Sequence, residues 1–234
     1  MKLQAAASWM HKWLALIIGV QILFWFVSGL FFAVYPIERV RSEHRVAERQ
    51  AAPLDPAALP APAGLAPLLP QQPIKLTFER DARGVALAIA EFQEGAPVLI
   101  DLAQRRVISP LDEAAARDIA TAHVANSPAV REATLITHAS PEYRGALPAW
   151  RVAFADAEGL AVYVAADTGR VTARRSDLWR AYDALWALHI MDWRDHENFN
   201  TGLLIFATAL ALIVTLAGIV LLPYRLRWMR RRPG

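Results

Sequence analysis

The chain contains no cysteine. That absence excludes disulfides, iron–sulfur ligation and the Cys-x-x-Cys-His attachment of c-type haem. A second absence is more informative. None of the 22 acidic residues lies before Trp13 or after Leu222, and the runs Trp13–Tyr35 and Gly202–Leu222 hold no Asp, Glu, Lys, Arg or His at all. A helix rising about 1.5 Å per residue needs roughly 20 residues to cross a hydrocarbon layer about 30 Å thick, so both runs are expected to be transmembrane helices.

The flanks beyond the two runs carry only positive charge: Lys2 and Lys12 on one side, and Arg225, Arg227, Arg230, Arg231 and Arg232 on the other. Positive flanks stay in the cytoplasm. Between the runs, 18 basic residues face 22 acidic ones, which marks that segment as the translocated part. Arg39, Arg41 and Arg45 follow the first run closely and oppose this orientation, although long translocated domains override such local charge. The first run is too long for a signal peptide and ends in Phe31-Phe32-Ala33-Val34-Tyr35-Pro36, without a small-residue cleavage site. It is therefore expected to remain as an anchor. The sequence pI near 9.5 is explained by basic residues at anionic lipid, so the bilayer is the expected partner and nucleic acid is not.

The charged stretch Glu38–Arg49 leads into a region where Pro53, Pro56, Pro60, Pro62, Pro67, Pro70 and Pro73 alternate mostly with Ala and Leu. Prolines at this density favour an extended, semi-rigid linker, whose leucines have either the domain or the bilayer surface to pack against. Alternating apolar runs at Ile74–Glu79, Val85–Ala90 and Val98–Leu102, broken by Gly-containing turns, predict antiparallel strands. Ser109-Pro110-Leu111-Asp112-Glu113 supplies a cap, a proline and early acids, predicting a helix over Pro110–Val124. Three further strands are expected near Ala133–Thr137, Ala149–Phe154 and Ala161–Ala165, with a short fourth at Arg170–Ala173. A weak internal repeat lays Val98–Val107 on Val162–Val171, suggesting two strand-rich units separated by a helix.

From Ser176 to Trp193, the residues Leu178, Trp179, Tyr182, Leu185, Trp186, His189, Ile190 and Trp193 recur at three- and four-residue steps. The spacing predicts an amphipathic helix lying along the outer membrane interface, or else a core helix of the soluble part. Gln21, Trp25, Ser28 and Phe32 fall on one face of the first span. Ala207, Ala211, Thr215 and Gly218 make a small-residue stripe on the second, suited to close packing on the first span or on a partner.

Four pieces of sequence resemble the PepSY domain proteins, specifically the PepSY-associated transmembrane group. They are His11-Lys12-Trp13-Leu14 opening the first span and Trp25-Phe26-Val27-Ser28-Gly29 within it. The third is Trp150–Phe154 followed by Val162-Tyr163-Val164 and Asp167-Thr168-Gly169-Arg170-Val171, and the last is Leu185-Trp186-Ala187-Leu188-His189 before the second span. The resemblance implies a small α+β unit, a helix on an antiparallel sheet. The expected fold is thus a membrane α+β protein in which two transmembrane helices frame a periplasmic PepSY-like domain. Its expected parts are a cytoplasmic N-terminus (1–12), a first span (13–35), a charged and Pro-rich linker (36–73), the domain (74–175), an interfacial helix and connector (176–200), a second span (201–222) and a basic cytoplasmic tail (223–234). The location implied is a bacterial inner membrane.

The resemblance also implies two classes of role. One is an accessory or electron-transfer subunit of a membrane redox system, with b-type haem as cofactor and iron or siderophore reduction as the process served. The other is a non-catalytic module binding or regulating a periplasmic peptidase or envelope protein. No Gly-x-Gly-x-x-Gly fingerprint is present, so no NAD or flavin site is expected and a redox role needs an outside donor. Haem b needs imidazole ligands, and His11 and His189 are the candidate cofactor-binding residues. They should stand about a hydrocarbon thickness apart, so they cannot clasp one iron. Three arrangements stay open: two haems with ligands shared between subunits, one outer haem held by His189 with His44 or His196, or no haem, with both histidines serving as interfacial residues. Two helices enclose little volume, so a membrane site is expected to require a homo-oligomer or a partner membrane subunit. His123 and His138 are expected at the surface. No catalytic residue and no metal-ligand set is recognisable in the sequence.

Overall fold

A computed structural model describes residues 2–48 and 52–230. Arg49 at the end of the charged stretch, and Arg231 and Arg232 of the basic tail, lie outside the described residues. In chain order the elements are α1 (Lys2–Val34), α2 (Ile37–Val40), α3 (Pro62–Leu65), β1 (Lys75–Arg80), β2 (Ala86–Glu91), β3 (Val98–Asp101), β4 (Arg106–Val107), α4 (Glu113–His123), β5 (Val130–Ile136), β6 (Ala149–Phe154), β7 (Ala161–Ala165), β8 (Val171–Arg175), α5 (Asp177–Ile190) and α6 (Gly202–Arg230). They form two compact units, one made of the residues up to Pro36 with those from Ala181 onward, the other of Ile37–Arg180.

The second unit holds two four-stranded antiparallel meanders, ordered β1-β2-β3-β4 and β5-β6-β7-β8. The internal repeat acquires a structural meaning here, since its two copies are the third strand, turn and fourth strand of each meander. Inward residues of both sheets, Leu87, Ile89 and Leu99 from one and Val152, Phe154, Val162 and Val164 from the other, share one core with Ile119, Ala120 and Val124 of α4 or its end. Gly169 (φ 69°) lets the β7–β8 turn close onto this core, because a Cβ there would meet Leu99 at 3.2 Å. The next residue, Arg170, forms a two-nitrogen ion pair with Glu79 of β1, tying the meanders together.

Three details depart from the expectation. The helix starts at Glu113 with Asp112 as its cap, the carboxylate accepting from Ala115 N at 2.8 Å, because the Ser109 hydroxyl is spent on the backbone N–H of Leu99. The Pro-rich stretch is not extended throughout. It makes short helical turns at Pro56–Ala58, Pro62–Leu65 and Ala66–Leu68, and its Leu65, Leu68 and Leu69 pack on Ala88 and Ile100, on the face of the first sheet turned away from α4. Of the two surfaces open to these leucines, the domain is the one used. His123 is half-buried rather than on the surface, while His138 is exposed as expected.

Arg45, one of the arginines that oppose the expected orientation, is ion-paired to Asp156 at 2.8 Å and to Glu158 at 3.0 Å. Its charge is therefore largely offset within the unit.

The other unit is a helix hairpin. Among the described residues, two helices are long and apolar enough to cross a membrane, Ala5–Val34 and Gly202–Pro223. Ile18 packs against Ala207, Leu210 and Val214, so part of the small-residue stripe serves the chain's own first helix. The helix α1 begins well before Trp13, and the pairing of the two helices explains why it must. His11 meets Val214 and Gly218, Ile18 meets Leu210, and Trp25 faces Leu204 across a cavity. Extending that antiparallel register puts the start of α6 level with the turn of α1 around Trp25 and Ser28. The last turns of α1 therefore run past α6. At about 1.5 Å per residue, the 30-residue apolar stretch of α1 is about 45 Å long, more than the hydrocarbon layer needs, whereas the stretch in α6 matches it closely.

Candidate functional site

The face of α1 bearing Gln21, Trp25, Ser28 and Phe32 is where the end of α5 docks. The last carbonyls of a helix lack intrahelical partners, and α1 supplies them: Trp25 Nε1 donates to the His189 carbonyl at 2.7 Å and Gln21 Nε2 to that of Leu188 at 3.2 Å. Asp192 N closes onto Ala187 O at 3.1 Å. Around this cap Phe32 touches three rings of α5, with centroids 4.6 Å from Tyr182, 5.9 Å from Trp186 and 5.6 Å from His189, and Trp186 lies parallel to the His189 ring. The amphipathic helix thus turns its aromatic face to α1.

His189 Nδ1 lies 2.7 Å from Ser28 Oγ, and Ser28 Oγ lies 2.6 Å from the Phe24 carbonyl. A carbonyl oxygen has no proton to give, so the Ser28 hydroxyl must donate to Phe24 and the His189 Nδ1–H must donate to Ser28. In the neutral ring this leaves Nε2 with its lone pair, unengaged among the described residues. Burial pushes the His189 imidazole below its ordinary pKa, favouring that neutral form. His11 Nδ1 is 2.9 Å from the Val214 carbonyl and so donates to it, and its Nε2 has no hydrogen-bond partner among the described residues.

Beside His189 is a cavity of about 360 Å³ lined by aromatic and aliphatic side chains, among them Trp25, Trp186, Phe199 and Leu204, with Thr208 of α6 on its wall. The loop that follows α5 forms part of this wall. The carboxylate of Asp192 accepts from the backbone N–H groups of Arg194, Asp195, Glu197 and Asn198, and these bonds hold it down at a pKa of about 2. The loop also places Phe199 edge-on to Trp186.

The sequence-predicted histidines are not brought together. His11 and Ser28 are 17 positions apart on α1, which at about 1.5 Å per residue separates His11 from His189 by about 25 Å. His196 turns Nδ1 to Asp183 at 2.6 Å, and His44 turns Nε2 to Glu158 at 3.3 Å. Ser28, Gln21 and Thr208 are the members of the site that histidine-centred reading misses. For the first two the signal was present in the polar positions spaced along one face of an otherwise apolar helix.

The family model described as the PepSY-associated TM region matches residues 8–234. The chain belongs to this family. No curated protein and no solved structure gives a significant match to it. In this PepSY-associated transmembrane protein the match runs through both membrane helices, α5 and the two meanders, so the histidine-bearing elements all fall within the family region.

Proposed function

We propose that this protein is an accessory, electron-transfer subunit of a membrane redox system, with b-type haem as its cofactor and His11 and His189 as the residues that would hold it. The observation that carries the reading is the hydrogen bonding of the two imidazoles: each donates its Nδ1–H to an oxygen, and neither Nε2 has a partner among the described residues. Histidines that ligate metals are held in this way, the outer hydrogen bond fixing tautomer and ring orientation. Haem supplies reversible one-electron carriage, and the protein supplies ligands and an apolar, aromatic surround. With about 25 Å between the histidines, the two could not hold one haem together, so each would need another copy or a partner membrane subunit to complete its site.

In this reading the charge distribution sets the orientation: both termini in the cytoplasm of a bacterial inner membrane, and the Ile37–Arg180 unit, a PepSY-like domain, in the periplasm. Reduction of ferric or siderophore iron is the process served.

The test is the reduced-minus-oxidised absorption spectrum of protein purified in mild detergent from haem-replete cells, with His11→Ala and His189→Ala alongside. A b-type spectrum altered in each variant is expected. A colourless preparation would sink the haem reading, and a periplasmic protein that co-purifies independently of both histidines would favour the binding-module role. Reporter fusions at the C-terminus test orientation, with activity expected on the cytoplasmic side.

A further inference from the structure

In the sheet unit, turns of the first meander and the start of α4 frame a cavity of about 370 Å³, whose polar lining includes Arg83, Asp101, Gln104, Arg106 and Asp112. Two of its charges are already answered. Arg83 is paired with Asp81, to which Nη2 donates at 2.7 Å, and Asp112 caps α4, where the helix dipole favours an anion. Asp101 and Arg106 are not answered. They face each other directly across the β3–β4 ladder, yet they form no ion pair. Arg106 gives its Nε–H to Gln104 at 2.6 Å, while one oxygen of Asp101 accepts from the N–H groups of Ala103 and Gln104, each at 2.9 Å. The other oxygen of Asp101 and the Nη groups of Arg106 have no partner among the described residues. Asp101 is only 8 % exposed, and a buried carboxylate without a cation is costly.

The strand edge adds a third unspent feature. β4 pairs with β3 alone, and Ile108 N donates to Leu99 O at 2.8 Å. Residues alternate along an antiparallel ladder, so the N–H and C=O of Val107 point away from β3, and neither is bonded among the described residues. Val107 lines the same cavity. An anion alone would be repelled by Asp101, and a cation alone by Arg106. A ligand that satisfies the whole wall must carry an ammonium, a carboxylate and, between them, an amide able to pair with a strand edge. The rest of the wall, with Pro110, Leu111 and Ala115, is apolar and suits small aliphatic side chains.

We propose that this cavity binds a small zwitterionic peptide, a dipeptide with small side chains, its ammonium on Asp101, its carboxylate on Arg106 and its amide on the backbone of Val107. The volume lies at the lower end of the range for small-molecule sites, which fits a dipeptide and is too small to enclose a long peptide. The site uses neither His11 nor His189, so it is independent of the redox reading.

The experiment is calorimetric titration of the full-length protein in mild detergent with L-alanyl-L-alanine, its N-acetyl form, its C-terminal amide and free L-alanine. Saturable binding of the dipeptide up to millimolar concentration is expected. The two blocked forms should each bind roughly tenfold more weakly, because each loses one charge-assisted bond. Free alanine keeps both charges but has no amide for Val107, and should also bind more weakly than the dipeptide. Asp101→Asn, which retains an oxygen for the turn, should bring the dipeptide to the affinity of the N-acetyl form, and Arg106→Gln should bring it to that of the amide. Arg106 is exposed, so this variant keeps the fold if Asp101→Asn does not. No saturable dipeptide binding, equal affinity for the dipeptide and its blocked forms, or an Arg106→Gln titration identical to that of the unaltered protein overturns the proposal. Alanine bound as tightly as the dipeptide overturns the contact with Val107 and with it the assignment to a peptide. Failure of the redox reading shows separately, as a colourless protein that still binds the dipeptide.

Discussion

Gly218 stands against the imidazole of His11 so closely that a Cβ on it would lie 3.0 Å from Cε1 and 3.3 Å from Nδ1. The glycine in the small-residue stripe of α6 therefore serves as a notch for one side chain, and the carbonyl of Val214 accepts that side chain's Nδ1–H hydrogen bond. A valine at 218 would push the ring off this carbonyl. Overpacking of this kind costs about 1–3 kcal/mol, so Gly218→Val should lower the unfolding midpoint of the protein in detergent. The loss should be much smaller when His11→Ala is already present, because the two residues are in contact and their effects are not additive. Equal losses in both backgrounds would contradict the notch.

Ser28→Ala removes the acceptor for His189 Nδ1–H. The part-buried N–H left behind costs at most about 1–3 kcal/mol, and the tautomer is no longer fixed. Ring nitrogen chemical shifts of ¹⁵N-histidine-labelled protein should show Nδ1–H at His189 in the unaltered chain and a mixture of tautomers in Ser28→Ala, with Ser28→Thr retaining the original state. An unchanged tautomer in Ser28→Ala would mean that the hydroxyl does not orient the ring.

Much of this arrangement was legible in the sequence because apolar periodicity is a local property. The two spans, the aromatic stripe of α5 and the polar face Gln21–Trp25–Ser28–Phe32 all announce themselves in windows of a few turns. What covers that face does not, since Ser28 and His189 are 161 positions apart and nothing local to either names the other. The helix extends well before the apolar run at Trp13 for a related reason. The run before Trp13 contains Lys2, His11 and Lys12, which interrupt hydropathy, yet α6 runs antiparallel alongside and gives His11 a carbonyl to bond. The Ser109 cap failed because β3 had a competing use for the hydroxyl.

The linker leucines give a prediction for the sheet unit. Leu65 is only 1 % exposed and packs with Ala88 and Ile100, so the Pro-rich stretch is part of that unit's core. Leu65→Ala should cost about 2–5 kcal/mol and speed proteolytic cleavage within residues 52–73. Cleavage at the original rate, with an unaltered unfolding midpoint, would mean that the stretch merely passes over the sheet.

His123 gives the sheet unit a pH dependence whose sign follows from its surroundings. Its Nε2 lies 3.1 Å from Nη1 of Arg174, which has only protons to offer, so the imidazole must accept there and be neutral. Burial, and then the nearby guanidinium, push its pKa down to about 4 from an ordinary value near 6.5. The unfolded chain therefore binds a proton at a higher pH than the folded one. The stabilisation is fully present above about pH 6.5, declines as pH falls through that value, and is exhausted near pH 4, where the folded imidazole itself protonates. Its full size is no more than about 3 kcal/mol. Denaturant unfolding followed from pH 7.5 to 4 should show this loss for the sheet unit, and His123→Gln, whose side-chain oxygen can still accept from Arg174, should flatten the profile between pH 6.5 and 4. A profile equally steep in His123→Gln would assign the loss to the carboxylates instead.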